Sequence, residues 1–197
     1  MFLRLLTAAA IAVAAWSLPS DADAATVKVT GGLTTLDVTA DLGSLGLSAF
    51  AFGTASFDGS TFSFPITGGD DASGALQIEH DGVGVVLAGG TKSATVGNFI
   101  IDLGLGQILG NVNGGTAFAP LFDLAAGPTS DTVAVNISAT LAGALTSIFS
   151  APNLTGAEFG IASTNPDLAP VPLPAAMPLL LAGLGGLVLL RRRRQTA

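Results

Sequence analysis

The chain contains no cysteine and no tyrosine, one histidine (His80) and one tryptophan (Trp16). Without cysteine there is no disulfide framework, no thiolate metal site, no iron–sulfur cluster and no thiol nucleophile. Burial and strand pairing alone must hold the fold. Positive charge is also scarce. Between Ala25 and Pro170 only Lys28 and Lys92 are basic, against ten Asp and two Glu, a net charge of −10 over that stretch. Such a domain repels nucleic acid and anionic polysaccharide unless cations bridge them, and it stays soluble once exported. Nucleic acid is therefore excluded as a partner. The other five basic residues lie in the ends: Arg4 and Arg191 to Arg194.

Those ends read as addresses. Arg4, the apolar run Leu5 to Trp16 and the small-x-small site Ala22-Asp23-Ala24 form a secretory signal over residues 1–24. Signal peptidase is expected to cut after Ala24. The other end has three parts. Residues 169–175 are proline-rich and contain Val171-Pro172-Leu173-Pro174-Ala175. Residues 176–190 carry no charge, and residues 191–197 open with Arg191-Arg192-Arg193-Arg194. The apolar part is short for a span, since about 17 residues are needed to cross the hydrocarbon core. Leu173 and the neighbouring prolines extend it. Four arginines fix its direction, with the basic tail in the cytoplasm and the domain outside. A cleaved N-terminal signal demands the same orientation.

This tripartite end resembles the PEP-CTERM sorting signals of Gram-negative bacteria, in the variant whose motif reads VPLPA. The resemblance covers residues 171–197. It implies recognition by exosortase, a membrane-embedded transpeptidase-like enzyme. It also implies removal of the helix and delivery from a single-pass precursor to the cell surface or extracellular matrix, often with exopolysaccharide and biofilm. It implies nothing about the activity of the cargo.

The cargo, residues 25–168, is about 145 residues long, the usual size of one domain. Its pattern is strand and turn. Thr26 to Thr30, Leu36 to Ala40, Thr61 to Phe64 and Thr132 to Ser138 alternate polar and apolar residues. Asn98 to Leu103 and Glu158 to Ser163 are shorter candidates. Asp58-Gly59 and Asp81-Gly82 each separate two such runs, which predicts two tight hairpins. Helix is expected only at Leu141 to Phe149 and, as a single turn, at Ala119 to Ala125. The fold class is all-β: a single β-sandwich or an open barrel. A β-solenoid is the alternative. Gly-Gly pairs begin at 31, 68, 89 and 114, but these positions have no fixed period, which excludes a strict repeat. Ten Phe and no Tyr or Trp occupy the domain. Phe50 with Phe52, and Phe62 with Phe64, must share a strand face, and they are expected in the core.

Candidate chemistry is sparse. His80, in Glu79-His80-Asp81-Gly82, is expected as a solvated turn residue, since a metal site or triad needs further groups. Asp70 and Asp71, in a glycine-flanked loop, are the candidate calcium ligands, although their spacing matches no EF-hand. No catalytic residue and no other cofactor is assigned. A carboxylate-pair hydrolase is disfavoured because most acids fall in turns. Phe64-Pro65-Ile66-Thr67-Gly68-Gly69, Ile78 to Val83 and Asn98-Phe99-Ile100-Ile101-Asp102 resemble HtaA-type surface β modules. Haem-binding members of that family use tyrosine, so haem ligation does not carry over to this chain. The expectation is a non-enzymatic structural or interaction protein of the surface or matrix. The alternative is a surface module for calcium, carbohydrate or haem.

Overall fold

The computed structural model describes residues 27–71 and 74–169. The signal at 1–24, the sorting motif, the apolar segment at 176–190 and the arginine block lie outside them. Among the described residues no helix is long and apolar enough to cross a membrane.

Eleven strands form one sheet: β1 (Val29–Val38), β2 (Ser48–Phe52), β3 (Ser56–Phe57), β4 (Thr61–Pro65), β5 (Gly68–Asp70), β6 (Gln77–Gly89), β7 (Lys92–Asp102), β8 (Gln107–Val112), β9 (Ala119–Ala126), β10 (Val133–Ile137) and β11 (Glu158–Leu168). The order is β2-β6-β7-β8-β9-β10-β11-β1-β4-β3, and every pairing is antiparallel. One edge of β6 serves two partners: Gln77 to Glu79 pair with β5, and Gly84 to Ala88 pair with β2. Lys28 bridges to Asp70, Ile66 N donates to Gly32 O, and Thr67 N donates to Glu79 O. These links bring the two sides of the sheet together into a nearly closed barrel. The all-β class holds. The sheet follows the open-barrel reading rather than two stacked layers or a solenoid.

Several local expectations change. The two short runs before Ala40 are one strand, β1. The Gly31-Gly32 pair between them is part of the ladder, with a register shift between Val29 and Gly31. A Cβ on Gly32 would stand 2.2 Å from Asn165 O, so glycine lets β11 pack close. Asp58-Gly59 does turn the β3–β4 hairpin. Asp81-Gly82 does not turn: β6 runs straight through it for 13 residues. His80 pairs with Phe99 and Gly84 with Gly97, so three residues of β6 face Asn98 alone. The dipeptide is a bulge. Ala119 to Ala125 is strand, not a helical turn, because β8 and β10 pair on either side of it.

The one α-helix among the described residues, α1 (Ala139–Phe149), lies where expected. Ser138 caps it: its hydroxyl accepts from Leu141 N at 3.2 Å and donates to Pro120 O at 2.7 Å. Leu141, Ala142 and Leu145 turn one face into the core.

That core is aromatic along one side. Phe57 stacks on Phe62 with centroids 4.1 Å apart, Phe62 stacks on Phe64 at 5.7 Å, and Phe99 meets Phe64 edge-on at 5.6 Å. Burying each such side chain is worth about 1.5–3 kcal/mol. Phe62 and Phe64 are core, as expected, but Phe50 and Phe52 are not. They share a face of β2, yet they are 55% and 48% exposed, and Ala49, just before them, points inward. Period two fixes which residues share a face, not which face is buried.

Candidate functional site

The strand period places His80 inside. It lies on the buried face of β6, only 1% exposed, while Asp81 is exposed and Glu79 half-buried on the other face. A straight β6 thus overturns the solvated-turn reading and separates the imidazole from its flanking acids. His80 Nε2 is 2.9 Å from Thr34 Oγ1, and Thr34 Oγ1 donates to Thr164 Oγ1 at 3.0 Å. Which of the two donates in the Nε2–Thr34 bond follows the ring tautomer. Nδ1 is buried and meets no partner with hydrogen-bond geometry among the described residues. The Phe64 ring stands edge-on to the imidazole at 6.3 Å.

Burial pushes the His80 pKa down to about 4. The backbones of Phe99 and Ile78 and the Asp81 carboxylate favour the charged ring, without meeting hydrogen-bond geometry at Nδ1, and burial outweighs them. The ring is neutral at pH 7. It lines a cavity of about 50 Å³ whose walls are otherwise apolar apart from Thr34. A void of this size holds a water or two. A porphyrin does not fit this interior.

The carboxylates are engaged with the fold. Asp102 accepts from Leu105 N and Gly104 N, each at 2.9 Å, and from Gln77 Nε2 at 2.7 Å. The Leu105 amide first, then Gln77 and Gly104, hold its pKa below the ordinary aspartate value. Asp58 accepts from Thr61 N and Ser60 N, which lower its pKa in the same way. Asp131 is lowered chiefly by the Thr129 hydroxyl at 2.7 Å. Asp37 takes the Thr61 hydroxyl, Asp123 the Gln107 amide and Glu158 the Thr39 hydroxyl.

Asp70 and Asp71 are where β5 ends. Asp70 pairs through its backbone with Gln77, and Asp71 Oδ1 accepts from Val27 N at 2.8 Å. Among the described residues no group of three or more His, Asp or Glu gathers to hold a metal ion. Thr34 and Thr164, which orient the histidine, carried no sequence signal. They stand opposite each other across β1 and β11, 130 residues apart in the chain.

No family model matches the chain, and no curated protein matches it. Among solved structures it is similar to the C-terminal domain of HtaA from Corynebacterium glutamicum. The TM-score is 0.53 and the identity 14%, covering 73% of this chain and 99% of that one. At that identity the likeness is one of fold.

Proposed function

We propose that this is an exported protein of the cell surface or extracellular matrix, sorted by exosortase and serving a non-enzymatic structural or interaction role. The observation that carries the reading is the order of the C-terminal segments. The domain's last strand ends at Leu168, and the backbone of Ala169 closes on Lys28 O at 2.7 Å. The proline-rich motif, the apolar segment and the arginine block follow at once. The segment carries prolines at 170, 172, 174 and 178, a composition that favours an extended backbone of the kind a processing enzyme grips. Signal peptidase and exosortase are the processing partners, and exopolysaccharide or matrix is the destination. The site chemistry supports a non-enzymatic role: the one histidine is sealed and neutral, and many of the acids satisfy backbone or hydroxyl groups.

The test replaces both motif prolines, Pro172→Ala with Pro174→Ala. The variant is expected to accumulate as a membrane-bound precursor, while the unaltered chain reaches the surface fraction. Equal surface delivery of the two would remove exosortase from the account.

The HtaA-like fold favours a second reading, a surface ligand-binding module for calcium, carbohydrate or haem. Calcium would be bound through Asp70 and Asp71, while haem would have to lie outside the barrel. Heat of binding in titration calorimetry with one of these ligands, at micromolar protein, would favour it over the structural role.

A further inference from the structure

Exposed leucines collect at one end of the barrel. Asp102 and Gln107, paired across the β7–β8 turn, hold up a tip that presents Leu103 and Leu105, the latter 65% exposed. Leu168, at the end of β11, is also exposed there. It is the same end of the sheet, since β7 finishes and β8 starts there, β11 finishes there, and β1 starts there beside Leu168. The tip is not loose. Both Asp102 carboxylate oxygens are engaged, one of them with the Gly104 and Leu105 amides, and Gly106 adopts φ 65°. Polar bonds thus fix the backbone of the turn while its leucines face outward. A hydrogen-bonded turn that presents two exposed leucines offers a small apolar surface for an external contact.

The chain's own length indicates what that contact is. Ala169 leaves from this end, and the apolar segment begins at residue 176. Seven residues reach at most about 25 Å. Resting on the reading of residues 176–190 as a membrane span, we infer that the Leu103–Leu105 tip seats in the interface of the bilayer that holds the tail, before the tail is removed. Tethering raises the local concentration of the tip at the surface to the millimolar range, so weak insertion is enough. A second copy is the poorer occupant, because Asp70, Asp71, Asp131 and Asp167 lie towards the same end in a domain of net charge −10. The same acids disfavour anionic lipid. Zwitterionic headgroups are the matching surface. Docking in this way would hold the Val171–Ala175 motif at the membrane face.

The test uses the chain from Ala25 to Ala197, which has no tryptophan, reconstituted in nanodiscs of phosphatidylcholine. Leu105→Trp supplies a reporter at the tip. Phe118→Trp, at the start of β9, supplies one at the opposite end of the barrel. The expected result is blue-shifted emission from the tip reporter with quenching by brominated acyl chains, weakened when anionic lipid is added, and none of this at position 118. Water-like emission from both reporters in chain that has incorporated would overturn the inference. So would a blue shift without bromine quenching, which would mean contact between copies. Failure of the chain to enter nanodiscs at all would overturn the membrane-span reading itself, and the inference with it.

Discussion

Asp58-Gly59 and Asp81-Gly82 are the same dipeptide between the same kind of alternating runs, yet one turns the chain and the other does not. At the first, the Asp58 carboxylate accepts from Ser60 N and Thr61 N, closing a turn from within four residues. At the second, the capping comes from a neighbouring strand: Asn98 Oδ1 accepts from Gly82 N at 2.8 Å, and Asn98 itself sits at φ 52°. Gly53 also packs there, since a Cβ on it would lie 1.9 Å from Gly82 O. A local signal prevails where its own side chain satisfies the backbone. It loses where a neighbouring strand does so and the run on either side has a ladder to join. The second outcome is what carries His80 into the core.

Four measurements break or sharpen this contrast. The largest effect belongs to the hairpin side. Phe62→Ala removes the fully buried ring that ties the Asp58-Gly59 hairpin to the core, and urea unfolding should show a loss of about 3–5 kcal/mol.

Next comes the histidine that the bulge buries. Its folded pKa of about 4 lies below the ordinary 6.5, so the unfolded chain takes up the proton first. Its contribution is fully present above about pH 6.5 and is lost as pH falls through that value towards 4. The loss amounts to about 3 kcal/mol at most. His80→Leu should flatten stability over that window, and an unchanged slope would mean the ring is accessible to water.

Asn98→Ala removes both the cap on Gly82 and a residue tolerant of positive φ, for an expected cost of about 1–2 kcal/mol. Asn98→Gly should recover part of it by restoring the backbone freedom. Asp58→Ala should be the mildest change, detectable as faster amide exchange at Ser60 and Thr61 with little shift in the global transition.

Much of the fold was legible because it rests on period and punctuation. Val133–Ile137 alternates without interruption and is a strand. Leu141 and Leu145 are spaced for a helix, and Ser138 stands ready to cap it. What was not legible depends on partners distant in sequence. Gly31-Gly32 looks like a break until β11 is seen packed against it. Gly110 hides β8, because its missing side chain makes room for Leu121. Ala49 rather than Phe50 faces inward, although nothing in Ser48–Phe52 alone says so. The candidate site shows the same limit. The sequence flags His80 by its rarity, but its environment is set by Thr34 and Thr164 through a pairing of the first and last strands.

The account's central claim is that this β domain is a cargo, cut at both ends and handed to the surface. Intact mass of the protein recovered from its native host tests it most directly. The predicted mass is that of a chain beginning at Ala25 and ending within or near Val171–Ala175, alone or with an attached group. A mass that still includes Arg191 to Arg194 in the surface fraction would contradict it, and the C-terminal segment would then be a permanent anchor.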